Sequence, residues 1–203
     1  MPETKQVTRA TQYASCMDFR RIFDEDMNSL YLLSFLLTAD REKAEQCFVS
    51  GLEDAVEGNP VFKEWARSWA RRVIIQNAVR VISPRAAEAK GHFNSAPVNS
   101  NGVLPALWQQ PEIRAVLGLE PFERFVYVIT VLEHYSDHDC SLLLGCARRD
   151  VPAARARALQ QIGSAVELDD QQLPTSSPEN PTFQKRSSLL LELLVAPRLA
   201  TSA

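Results

Sequence analysis

The sequence predicts an all-α protein of two small helical domains joined by a flexible linker. Three observations carry this. Apolar residues recur at spacings of three and four through nearly every structured stretch, the signature of amphipathic helices. Only seven glycines occur in 203 residues, and runs of alternating Val, Ile and Thr that would mark strands are few. Helix start and stop signals then divide the chain into a bundle over 17–82, a linker over 83–111 and a second helical unit over 112–165. A polar spacer and a short apolar helix fill 166–203.

The first domain reads as three helices. From Asp18, the positions Phe19, Ile22, Phe23, Met27, Leu30, Leu33 and Leu37 form one apolar stripe on one helix. Thr38-Ala39-Asp40 ends it and offers side-chain oxygens to cap the next. The second helix, about 40–56, has Ala44, Cys47, Phe48, Leu52 and Ala55 inward. Gly58-Asn59-Pro60 stops it and starts a third, carrying Phe62, Trp65, Trp69, Val73 and Ile74, which ends near Ser83-Pro84. The linker mixes Pro, Gly, Asn and Ser without a sustained period. Beyond the second domain, LDDQQLPTSSPENP is a proline-broken spacer, and Ser187–Val195 is an apolar helix too short to span a bilayer.

Net charge is −3, so no global basic character announces a nucleic-acid partner. Local asymmetry does. Arg67, Arg71, Arg72 and Arg80 stand between Trp65 and Arg80 with no acid among them, and Arg148, Arg149, Arg155 and Arg157 face Asp150 alone before Gly163. No stretch reaches the roughly 18 apolar residues of a membrane span, and the N-terminus has no apolar core, which predicts a cytoplasmic protein without membrane contact. The four cysteines form no CxxC pair and read as small hydrophobes. His134, His138, Cys140 and Cys146 cluster, but their spacing fits no zinc finger.

The strongest local pattern lies between Leu117 and Ile162. Asp137–Leu144 reads as a short helix capped by Ser136 or Asp137, Gly145 as the permissive residue of a tight turn, and the following stretch as a basic helix with Val151, Ala154, Ala158 and Ile162 inward. This is a helix-turn-helix pattern, with Arg148, Arg149, Arg155 and Arg157 outward, where guanidinium groups reach phosphates or guanine edges. The plain alternative is a helical pair with a solvated basic face. Pro152 sits early in the second helix, where it is tolerated only in the first turn, with Asp150 a candidate cap. Trp65 and Trp69, four apart beside Arg67, Arg71 and Arg72, read either as stacking surfaces for unpaired bases or as core residues. No phosphate loop, metal-binding histidine pair or nucleophile elbow is present, and the acids read as single, solvated side chains, so neither an enzyme nor a cofactor is expected.

Taken together, the two halves resemble the two-domain extracytoplasmic-function (group IV) sigma factors of bacterial RNA polymerase. FDEDMNSLYLLSFLLTADREKAEQCF is similar to the family's opening helix, its turn and its Ala-Glu pair, here Ala44-Glu45. Phe62, Trp65 and Ala70-Arg71 are similar to the aromatic helix that binds and melts the −10 element. Leu117, Pro121, Arg124, Tyr135-Ser136, Cys140, Leu144-Gly145, Val151, Arg155 and Arg157-Ala158 resemble the region that reads the −35 element. The resemblance spans roughly residues 19–163. It implies a transcription initiation factor without catalysis of its own, binding core polymerase near Glu45 and Phe48. Promoter DNA would meet Trp65, Trp69, Arg71 and Arg72 at −10, and Arg148, Arg149, Arg155 and Arg157 at −35. An anti-sigma factor is a further partner it allows. Gln46, Val49, Ser50 and Arg72 replace polar residues usual in the family, and Pro152 has no place in its pattern. The alternative is a regulatory or protein-interaction descendant that no longer initiates transcription.

Overall fold

The computed structural model describes residues 12–86 and 110–170, with side chains as far as Ala165. The expected apolar helix at 187–195, the spacer, the linker interior and residues 1–11 lie outside the described residues. Apart from one isolated antiparallel bridge between Tyr13 and Phe62, everything regular among them is helical, as the periodicity predicts.

The stripe expected to form one helix forms two, α1 (Cys16–Glu25) and α2 (Met27–Thr38). Ser15 caps α1 through a capping box: its amide donates to Asp18 Oδ2 at 2.9 Å, and its hydroxyl accepts from the Asp18 amide at 3.2 Å. The break falls at Asp26, whose φ of −100° and ψ of 14° leave the helical basin. Its carboxylate is held by Arg67, 41 residues onward, and Ser29 Oγ donates to its carbonyl at 3.3 Å. A tertiary ion pair fixes the kink, which is why helical periodicity alone runs through it.

Ala39, in the left-handed region at φ 52°, closes α2, and Asp40 caps α3 (Arg41–Glu57) by accepting from the Lys43 amide at 3.0 Å. Ala44, Cys47 and Ala55 are buried as expected, while Phe48 and Leu52 are only half-buried. Gly51 belongs to the same buried face. A Cβ there would come within 2.6 Å of Ile74 Cδ1, so this glycine sets how closely the next helix approaches. That helix begins later than the sequence implies. Phe62 is extended, Lys63–Trp65 form one 3₁₀ turn, and α4 runs Ala66–Ile82.

In the second half, prolines at the first helical position open both α5 (Pro111–Leu117) and α6 (Pro121–Tyr127). α6 continues into a π-helical turn over Val128–Leu132. α7 (Asp137–Leu144) and α8 (Asp150–Asp170) follow. The last helix continues through Gly163 into residues read from sequence as spacer.

α2 is the hub. Leu30, Leu32, Leu33, Phe35, Leu36 and Leu37 are all buried, so this helix is covered on every side instead of along one stripe. α1, α3 and α4 cover part of it, and α5, α6 and the π turn cover the rest. The buried apolar side chains accordingly form one continuous cluster through both halves.

Two buried arginines stand at this seam. Arg124 on α6 donates from Nε to the Leu37 carbonyl at 3.2 Å, and from Nη1 to the carbonyls of Leu117 at 3.3 Å and Leu119 at 3.0 Å. Two of these acceptors lie at helix C-termini, where carbonyls lack intrahelical partners and the dipole favours a cation. Burial pulls the Arg124 pKa down to about 10, still far above neutrality. Arg71 on α4 forms the other, a two-pronged pair with Glu133.

Candidate nucleic-acid interface

The first helix and its Gly145 turn have the predicted boundaries, but the second helix starts later than expected, at Asp150, so Arg148 and Arg149 lie in the turn and not on the helix. Ser136 Oγ accepts from the Asp139 amide at 3.1 Å to cap α7, and Gly145 takes φ 62°, ψ 33° at its end. No atom stands within 4 Å of where a Cβ at 145 would be, so backbone conformation alone asks for glycine there. Cys146 donates its amide to Ser141 O at 3.1 Å, tying the turn back to α7. α8 starts at Asp150, which makes Pro152 its third residue. Its missing amide is among the first four, which have no helical acceptor, so the proline is tolerated. Val151, Ala154, Ala158 and Ile162 are buried as expected.

The four arginines of this unit separate into two kinds. Arg148 and Arg149, in the turn before α8, are exposed. Arg149 lies 3.9 Å from Asp150, and Arg148 has no side-chain partner among the described residues. Arg155 and Arg157 are paired instead, Arg155 half-buried and the Arg157 side chain still 55% exposed. Arg155 Nη1 donates to Asp137 Oδ1 at 2.5 Å, fastening α8 to α7. Arg157 Nε donates to Glu123 Oε1 at 2.5 Å, and Gln161 Nε2 reaches Glu123 Oε2 at 3.2 Å, fastening α8 to α6.

On the other half, Trp65, 58% exposed, meets Phe62 edge to face at 5.3 Å, and Phe62 stacks on Tyr13 at 4.7 Å. Trp69 is half-buried against the core, as the core reading has it, whereas Trp65 is not a core residue. Arg71 is buried, and Arg72 is half-buried. The residues expected near polymerase lie on α3. Glu45 is exposed and accepts from Arg41 Nε at 3.1 Å. Phe48 packs edge-on against Phe23 at 5.3 Å and Tyr31 at 6.3 Å.

The expectation that the acids are single and solvated is corrected: Asp26, Glu123 and Glu133 are buried, each against an arginine. The signal was available for Glu133, which directly follows the apolar run VYVITVL, where a charge needs a partner. Its partner was not available, since it lies 62 residues earlier.

The four cysteines are free thiols. Burial pushes Cys47 up to about 11 and Cys140 up to about 12, so both stay protonated and unreactive near neutrality. No group of three or more His, Cys, Asp or Glu side chains among the described residues is placed to hold a metal ion. Nor is any helix among them long and apolar enough to cross a membrane. The chain matches no family model, no curated protein and no solved structure.

Proposed function

We propose that this chain is a sigma-like transcription initiation factor that binds core RNA polymerase and reads promoter DNA, with α7–α8 as its −35 reader. The observation that supports this most is the turn at Gly145. It ends a capped short helix and leaves Arg148 and Arg149 exposed at the start of a longer one. Guanidinium groups in that position reach phosphates and base edges, at the cost of no more than the loose 3.9 Å contact of Arg149 with Asp150. The exposed Trp65 edge would serve the −10 side, and the α3 surface around Glu45 and Phe48 would meet polymerase. Arg155 and Arg157 then also brace the reading helix, through Asp137 and Glu123.

One observation favours a second reading, a regulatory or protein-interaction descendant that no longer initiates. Arg71, offered to −10 DNA by the resemblance, is turned inward against Glu133.

Co-purification with core polymerase, followed by run-off transcription on promoters of the same genome, separates the two. Core binding with transcript supports the first; core binding without transcript supports the second. Failure to bind core at low salt removes the first and leaves the second. Arg148→Ala with Arg149→Ala is expected to weaken promoter binding by about tenfold or more and leave core binding intact. Equal DNA affinity in that double variant would take the helix-turn-helix out of the reading.

A further inference from the structure

Arg71, Arg155 and Arg157 are all held by carboxylates, but the three pairs are not equivalent. Arg155–Asp137 and Arg157–Glu123 lie inside the second half and brace its own helices. Arg71–Glu133 crosses from α4 in the first half to the end of the π turn in the second. Both side chains are buried, Arg71 to 9% exposure and Glu133 to 2%. Ser29 Oγ accepts a third bond from Arg71 Nη1 at 3.3 Å. Beside it, α4 and α7 border a groove of about 340 Å³ lined by Arg72, Gln76, Val79, Arg80, Leu142 and Leu143.

A carboxylate and a phosphate present the same feature to a guanidinium fork, two oxygens accepting parallel N–H bonds. We infer that Glu133 is an internal phosphate mimic: it occupies the Arg71 fork that a DNA phosphate would take, so that contact between the halves and DNA engagement by α4 exclude each other. This rests on the sigma-like reading and adds regulation to it. The closed arrangement is the off state. A ligand of α4 must first supply the free energy of opening, which lowers its apparent affinity by the fraction of molecules open. By reciprocity, whatever opens the seam raises DNA affinity by the same factor.

The test uses the full chain and a fluorescein-labelled DNA duplex with a central unpaired bubble. Glu133→Gln keeps the shape and removes the charge. It is expected to bind at least about tenfold tighter than wild type. Its log-affinity against log-salt slope should steepen by about one, the signature of one added phosphate contact. That extra slope should vanish in Arg71→Gln with Glu133→Gln.

Wild-type affinity and slope in Glu133→Gln would overturn the mimic. If Arg148→Ala with Arg149→Ala still weakens binding in that case, the sigma-like reading stands without it. If neither wild type nor Glu133→Gln binds the probe, both fall. Should Glu133→Gln not fold, amide exchange on wild type decides. Saturating probe should speed exchange over Val128–Tyr135 as the halves part, and unchanged or slower exchange there would overturn the mimic.

Discussion

Arg124 and Arg71 are both buried at the seam between the halves, yet they solve the problem of a buried cation in different ways. Arg124 spreads its charge over three neutral carbonyls, at the ends of α2 and α5 and in the turn that leads to α6. These acceptors belong to the backbone itself, and two of them cannot leave without unravelling a helix end. Arg71 gives its charge to one carboxylate, a group that any phosphate can replace. The first arrangement is architecture; the second is exchangeable. A buried cation thus reports a switch only when its partner is itself a charge.

The largest expected effect tests the architectural side. Arg124→Met keeps most of the stem volume but leaves three inward-facing carbonyls without a donor. With each buried unsatisfied acceptor costing about 1–3 kcal/mol, the loss should be about 4 kcal/mol. Urea denaturation followed by circular dichroism reads it. A loss under about 1 kcal/mol would mean that water satisfies these carbonyls as well as Arg124 does, and the distinction between the two sites would collapse.

The next effect tests the exchangeable side. Glu133→Leu alone strands the Arg71 guanidinium in an apolar seam and should cost about 3 kcal/mol. Arg71→Met with Glu133→Leu removes both charges and should return to within about 1 kcal/mol of wild type, because a buried ion pair contributes little beyond a well-packed apolar replacement. The same urea experiment on the two variants gives the answer. If the double variant stays as unstable as the single one, the pair is a structural necessity like Arg124, and its two charges are not exchangeable.

How legible each feature was depended on how local its cause is. The short helix, its turn and the inward face of the next helix were readable because Ser136, Gly145 and the set Val151, Ala154, Ala158 and Ile162 act within a few positions of one another, although the second helix starts only at Asp150, past Arg148 and Arg149. The kink at Asp26 was not, because Arg67 makes it from another helix. The late start of α4 was hidden for a related reason: Phe62 is drawn into a bridge with Tyr13, which precedes the first helix. The fusion of the halves left one trace in the sequence. MNSLYLLSFLLT is apolar around the whole turn of a helix, and a three-helix bundle has no way to cover all of it. The pairing of the arginines left less. Arg71, Arg155 and Arg157 carry the same letters as Arg148 and Arg149, and only the distant acids Glu133, Asp137 and Glu123 make them different.

The smallest effect comes from a charge that is neither buried nor at the seam. Asp18 accepts from the Ser15 amide and hydroxyl and lies 3.2 Å from Lys63, and these contacts hold its carboxyl down to about 2. The unfolded chain keeps the ordinary value of 3.8, so between the two values the unfolded state binds more protons. The stabilisation is therefore complete above about pH 4 and is lost as the pH falls toward 2. Because the group is solvated, the whole effect should not exceed the worth of one helix cap, about 1 kcal/mol. Urea midpoints measured from pH 5 down to pH 2 should fall more steeply for wild type than for Asp18→Asn, with the two curves converging at the acid end. Parallel curves would show that this cap contributes through hydrogen bonds that do not depend on charge. The contrast that separates Arg71 from Arg124 would then apply only where water is excluded.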